Sequence, residues 1–464
     1  MLFSGLPFLY YFLPAVLVCY FAAPRKLKNA VLFVFSLIFY GWGEPRYIAL
    51  MIVSIFSGFV FALMIEKKQN KKIGFILMWI SVAVSLSFLL IFKYADFLIE
   101  NVNQLPGVSL PLSKLSLPIG ISFYTFQIIS YTVDVWRGDT KAQRNIISFG
   151  TYVSLFPQLI AGPIVRYTDI ERELQERKHS VTLAASGIQR FLIGLSKKVL
   201  IANVLGELTD ICLKTSQPSI LFWWMYAAAL VLQIYFDFSG YSDMAIGLGR
   251  IFGFQFPENF NYPLISRSVK EFWRRWHITL STWFKEYLYI PLGGNRRGLA
   301  RQALNLLIVW SLTGFWHGAG WNFVMWGLYY FVILFIEKLF LLKALDKLPK
   351  FFRHVYALVL IIIGWVIFAS DDVSVLLPYL GSMFGANGAI GGMDVYTLLT
   401  KAVLLIICCI ASTELPKKLF LSAAGAMNEK AAFTLKSVLM IALLALSMIL
   451  LIGDSYNPFL YFRF

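Results

Sequence analysis

Two of the four histidines occupy positions where an imidazole could do chemistry. His317 lies in WSLTGFWHGAGWNFVMWGLYY (310–330), an apolar, aromatic-rich stretch with Gly314, Gly318 and Gly320 close by. Imidazole is the side chain best suited to accept a proton near neutral pH. Glycines beside it would leave room for a substrate to approach the ring. A lone histidine on an apolar helix is as readily a structural residue, and on these residues alone both readings stand. His277 lies in SRSVKEFWRRWHITLSTWFKEYLYIPLGGNRRG (266–298). At helical spacing Lys270, Arg274, His277, Ser281 and Lys285 form one stripe. Phe272, Trp273, Trp276, Leu280, Trp283, Phe284 and Tyr287 form the other. The pattern predicts an amphipathic helix lying in a membrane interface. Its cations Lys270, Arg274 and Arg275 could hold the phosphates of a nucleotide-like donor, or only anchor the helix among headgroups.

Two carboxylates add to the set. YFDFSGYSDMAIGLGR (235–250) places Asp237 and Asp243 in or near a membrane segment. Ionisable groups there are costly and face a bundle interior or a water-filled cavity, though either could simply bond a neighbouring helix. The four cysteines (Cys19, Cys212, Cys408, Cys409) show no ligand-pair spacing and read as small hydrophobes rather than a disulfide framework or metal site.

The elements that must position these residues are membrane helices. Of 464 residues, 59% are hydrophobic and 14% charged, against about 25% charged in a soluble protein; the mean hydropathy is +0.70. Most of the surface therefore faces lipid. The net charge of +16 could suggest nucleic acid, but the cations lie between apolar runs rather than on one compact domain, which is the distribution the positive-inside rule describes.

Stretches long enough to cross a hydrocarbon core of about 30 Å fall at 5–23, 28–43, 46–65, 73–92, 117–135, 186–212, 219–249, 302–316, 321–342, 354–370, 393–412 and 432–452. The first lacks a cationic region ahead of it and is expected to be retained rather than cleaved. With the N-terminus outside, the cytoplasmic segments hold 35 of the 41 lysines and arginines. That asymmetry predicts both termini outside. The segment 148–170, broken by Pro157 and Gly162-Pro163, reads as a re-entrant hairpin, since irregular backbone at membrane depth must be buried in protein or line a cavity. A proline-kinked ordinary span is the alternative.

FWRRWHITLSTWFKEYLYIPLGGNRRG followed by FWHGAGWNFVMWG resembles the membrane-bound O-acyltransferase (MBOAT) family. YFDFSGYSDMAIGLGRIFGFQFPENFNYPL, LFPQLIAGPIVRY and the terminal FLYFRF are similar to its alginate O-acetyltransferase branch of bacterial envelope acylases. The resemblance covers most of the chain. It implies one all-α polytopic domain over 1–464: N-terminal spans (1–135), a catalytic core with re-entrant and interfacial helices around a tunnel (136–342), and C-terminal spans with an external tail (343–464).

The family's catalytic histidine maps onto His317 and its second functional polar position onto His277. Asp237 and Asp243 then become buried polar support. A C-terminal tyrosine of this branch resembles an acyl carrier, here Tyr461, whose plain reading is an interfacial aromatic anchor. The implied reaction takes an acetyl group from cytoplasmic acetyl-CoA to an envelope polysaccharide, in a bacterial inner membrane, with an extracytoplasmic acyltransferase as partner and neither metal nor covalent cofactor. Transfer of D-alanine from a carrier protein is the alternative within the family. A transporter is the alternative from another class, and it leaves the histidine motifs unexplained.

Overall fold

Every regular element described in the computed structural model is helical, over residues 1–68, 71–213, 219–370, 373–386, 388 and 390–453. The chain forms two compact units: Met1–Phe191 with Ser242–Pro257, and Leu192–Tyr241 with Glu258–Phe464.

In the first unit a π-helical turn (Phe8–Phe12) leads into α1 (Leu13–Ala22), followed by α2 (Lys28–Gly43), α3 (Ile48–Lys67), α4 (Lys71–Leu89), α5 (Ala95–Val102) and α6 (Ile121–Arg137). Phe3, Phe8 and Phe12 from the N-terminal end, Phe39 of α2 and Phe156 from further along the chain form one buried aromatic cluster with ring centroids 4.9–6.3 Å apart. The outward faces of α3 and α4 stay apolar, with Ile52, Val53, Phe56, Ile76, Trp79 and Ile80 all exposed. A continuous apolar belt of that kind is stable only against lipid.

The 148–170 segment is broken as its prolines and glycines predict. Helix α7 (Ile146–Ser154) starts at Asn145, whose side chain accepts from the Ile147 and Ser148 amides, and stops at Leu155. Pro157 then sits in the first turn of α8 (Phe156–Leu159), where a missing N–H is harmless. A Cβ on Gly162 would lie 2.6 Å from the Gln158 Cα, so only glycine permits the chain to fold back there. Every residue from Ser148 to Val165 is buried, which meets the requirement that irregular backbone be enclosed by protein. Helix α9 (Tyr167–Gln175) follows, with Asp169 bonding the Arg166 amide across its first turn.

Helix α10 (Val181–Ser196) passes from the first unit to the second at residues 191–192. A π-helical turn (Lys197–Ala202), α11 (Asn203–Leu213) and the long α12 (Ile220–Ile251) come next. The second unit continues with α13 (Val269–Arg275), α14 (Ile278–Phe284), α15 (Gly298–His317), α16 (Trp321–Ile336), α17 (Leu342–Leu345), α18 (Lys350–Ala369), α19 (Val373–Met383), α20 (Gly392–Ala411), α21 (Leu415–Gly425) and α22 (Glu429–Gly453).

Six helices among the described residues are long and apolar enough to cross a membrane: Pro45–Lys67, Lys71–Val102, Ile220–Ile251, Lys350–Ala369, Asp394–Ala411 and Glu429–Gly453. The other stretches expected to span are helical too, but shorter, interrupted by π-helical turns, or more polar. Among the described helices, α5, α7, α8, α9, α13, α14, α19 and α21 lie outside all twelve expected stretches.

Candidate active site

His317 closes α15, and the extended residues Gly318 and Gly320 turn the chain back into α16. The ring is buried. It packs against Trp316, Trp326 and Phe368 at centroid distances of 5.0, 5.2 and 5.3 Å. The glycines around it do not provide the open space expected beside the ring. A Cβ on Gly314 would fall 2.2 Å from the Phe323 carbonyl oxygen, and one on Gly318 would fall 2.0 Å from the Phe323 ring. A Cβ on Gly327 would lie 2.3 Å from the Trp310 carbonyl oxygen. The space is occupied by α16: these glycines let two helix backbones approach closely, and that contact fixes where His317 sits.

The single amphipathic helix expected over 266–298 is instead two short helices. The break is at His277, whose φ of +45° is left-handed, a conformation costly for any residue with a Cβ. Lys270, Arg274 and Lys285 remain exposed, but His277 leaves the cationic stripe and is buried. Asn259 stabilises the break. Its backbone carbonyl accepts from the Ile278 amide at 3.0 Å. Its side-chain oxygen accepts from the Thr279 amide (3.3 Å) and hydroxyl (2.9 Å) and lies 3.1 Å from His277 Nδ1.

An oxygen receiving a backbone N–H is an acceptor, so Nδ1 of His277 must donate to it. The tautomer is thereby assigned: Nε2 carries the lone pair, and it is buried with no hydrogen-bond partner among the described residues. This turn lies outside the candidate spans, and burial pushes the imidazolium down to about 3, so the ring is neutral. Trp316 lies between the two histidines in the contact chain, its ring centroid 6.3 Å from His277 and 5.0 Å from His317.

The wall behind them is aromatic. Trp273 packs on Trp310, Trp326 and Tyr330 at 4.7, 5.5 and 4.9 Å, and Trp276 packs on Trp365 at 4.9 Å. Glu337 holds α13 against this wall. Fully buried, it accepts from the Val269 and Lys270 amides at 2.7 and 2.9 Å and from the Tyr356 hydroxyl at 3.2 Å.

The cations of α13 divide. Arg275 is committed to Glu271 at 3.0 Å and to the Asn261 carbonyl at 3.1 Å, whereas Lys270 and Arg274 extend from the exposed face one turn apart. Asp237 forms a buried ion pair with Lys198 at 2.7 Å in the second unit. Asp243 pairs with Arg190 at 2.6 Å in the first. Tyr461 lies outside the described residues. Asn259 and Glu337 were not singled out by sequence reasoning. Asn259 does fall in the quoted FQFPENFNYPL motif, but Glu337 follows an apolar run with nothing nearby to mark it.

An all-helical polytopic membrane protein with imidazoles buried in an aromatic wall is the class that fold and site define. Within it, residues 112–376 match MBOAT, the membrane-bound O-acyltransferase family. The chain belongs to that family and is an O-acyltransferase. It is 36% identical to the probable alginate O-acetylase AlgI of Azotobacter vinelandii over the whole of both chains. It is 34% identical to a peptidoglycan O-acetyltransferase of Helicobacter pylori, over 84% of this chain and 80% of that one. A teichoic acid D-alanyltransferase of Bacillus subtilis is more distant, 29% identical over 47% of this chain and 60% of its own.

Proposed function

We propose that this chain O-acetylates an extracellular or cell-wall polysaccharide, taking the acetyl group from acetyl-CoA on the cytoplasmic side of a bacterial inner membrane. The relatives named for alginate and peptidoglycan O-acetylation support the acetyl group and the polymeric acceptor. The excess of basic residues in alternate loops supports a cytoplasmic donor side with both termini outside. An extracytoplasmic acyltransferase would serve as partner for delivery to polymer.

In the proposed step His317 accepts the acceptor hydroxyl proton as that oxygen attacks the thioester carbonyl. The tetrahedral intermediate collapses, the C–S bond breaks, and the CoA thiolate leaves to be protonated as the free thiol, with an O-acetyl ester formed. His277 is assigned to orienting the acceptor. With Nδ1 donated to Asn259, neutral His277 has no proton on Nε2 to offer a carbonyl oxygen, but its lone pair can receive a hydroxyl hydrogen. Lys270 and Arg274 would hold the donor phosphates. Where the Tyr461 phenol is that acceptor hydroxyl, the acetyl group would leave the enzyme as a phenol ester, and attack by a hydroxyl of the partner or polymer would then release the free phenol.

The observation that carries this reading is the pair of buried imidazoles sharing Trp316 within the family-matched segment. The test is labelled acetyl-CoA supplied to proteoliposomes. His317→Ala should lower transfer by about 10²–10⁴-fold while the protein elutes and melts as wild type. Retained turnover would remove His317 from its role. Replacing acetyl-CoA by a D-alanyl carrier in the same assay tests the second reading, which the Bacillus relative supports.

A further inference from the structure

A cavity of about 1090 Å³ lies wholly within the first unit, on none of the residues discussed for acyl transfer. It is lined by Arg25, Lys26, Lys28, Arg177, Lys178 and His179, with Glu176 as its acidic residue. No ion pair between any of these cations and an acid occurs among the described residues. Arg177 is the centre of the arrangement. Its Nη2 donates to the Asn29 side chain, and its guanidinium is stacked 4.7 Å from Phe254 and 5.7 Å from Tyr20. Its Nη1 is buried with no hydrogen-bond partner among the described residues. Lys28 Nζ donates to the Tyr20 carbonyl at 3.3 Å and lies 4.3 Å from the Tyr20 ring, so it too is positioned without an acid.

Most of these side chains are exposed, with Lys28 and Arg177 half-buried, and grouping so many cations around one cavity with so little counter-charge is unfavourable. The strain registers on His179, which burial first, and then Lys28, Arg177 and Arg25, hold below the usual imidazole range. An anion in the cavity relieves this repulsion. Forked guanidinium and ammonium groups together match the several acceptor oxygens of a phosphate. Exposed Phe21 also lines the cavity, and exposed Val18 lies one turn earlier on α1, so an apolar strip adjoins the charged one. That pairing suits a headgroup whose tails lie along the helix.

We propose that this cavity is an anion site for a phosphate-bearing group, the headgroup of an anionic phospholipid or a free phosphate compound. The full-length protein, purified in detergent, is titrated separately with short-chain phosphatidylglycerol, short-chain phosphatidylcholine and inorganic phosphate, reading the thermal unfolding midpoint. Phosphatidylglycerol or phosphate should raise the midpoint saturably. Lys28→Gln and Arg177→Gln should each weaken the apparent affinity by roughly fivefold or more, the loss expected from one cation beside a headgroup. Stabilisation by phosphatidylglycerol alone assigns the site to a lipid, and equal stabilisation by phosphate assigns it to a soluble compound. Should Arg177→Gln fail to fold, Lys28→Gln and Lys178→Gln, which leave the stacked guanidinium in place, provide the comparison. No response to either anion, an equal response to phosphatidylcholine, or unchanged affinity in the variants overturns the proposal.

Discussion

The left-handed backbone at His277 costs about 1–3 kcal/mol for a residue with a Cβ, and Asn259 is the residue that makes it tenable. One side-chain oxygen receives the Thr279 amide, the Thr279 hydroxyl and the His277 ring N–H. The same contacts decide the direction of the histidine's chemistry, because they leave Nε2 as a base rather than a donor. Asn259→Ala should therefore lose the tautomer along with the turn. The expected outcome is a fall in acetyl-transfer kcat of about 10²-fold or more, with Asn259→Asp, which keeps an acceptor oxygen, retaining more activity than Ala. Wild-type kcat in Asn259→Ala would show that tautomer assignment does not matter to the reaction. Little of this was legible in the sequence. The stripe through Lys270, Arg274, His277 and Ser281 is correct in its flanks, and periodicity averages over the one residue that breaks it. The candidate histidines were legible because a polar, titratable ring in an aromatic run is conspicuous. The glycines beside His317 were legible as well, but their purpose was not: a missing Cβ looks the same whether a substrate or a neighbouring helix fills the space, and here it is Phe323 and α16.

At the scale of elements, two buried charges lie in π-helical turns. Lys198 lies in the turn after α10, and Glu337 opens the turn after α16. The wider turn changes the direction of the side chains that follow it, a device often found at functional sites. Glu337 uses it to reach the first amides of α13, the helix that carries Trp273 and leads to His277. Glu337→Gln keeps the shape but puts an NH₂ group where one acceptor oxygen stood, facing either the Val269 or the Lys270 N–H. A buried donor left facing a donor costs about 1–3 kcal/mol, so the unfolding midpoint should fall. The KM for the acceptor should rise with it as α13 loosens, and an unchanged midpoint would show that α13 is held by its aromatic packing alone. The helices themselves were legible: all twelve apolar stretches are helical, because bilayer thickness dictates their length and the absence of water dictates internal backbone bonding. A clamp such as Glu337 was not, since its partners are backbone amides 67 and 68 positions away in sequence. Backbone amides carry no mark of residue type.

For the molecule as a whole, the reaction proposed above has its donor and acceptor on opposite sides of a membrane, so orientation would decide function as much as any side chain does. The lipid-facing surface is apolar along α20 and α22, where Leu399, Val403, Ile406, Val438, Ile441 and Ile449 are exposed, and such surfaces settle membrane residence but not direction. The proposed direction rests on the 35 of 41 basic residues that alternate loops share. Moving such loops outward opposes the bias that sets topology during insertion. In a background with Cys19, Cys212, Cys408 and Cys409 replaced by alanine, Lys347→Cys should react with a membrane-impermeant maleimide only after cells are permeabilised. Arg46→Cys should react in intact cells. A periplasm-dependent phosphatase fused after Phe464 should be active. The reverse labelling pattern would place the C-terminal segment, Tyr461 included, on the donor side. Tyr461 could not then hand an acetyl group to an external partner, and the carrier step would have to be abandoned even if His317 remained essential.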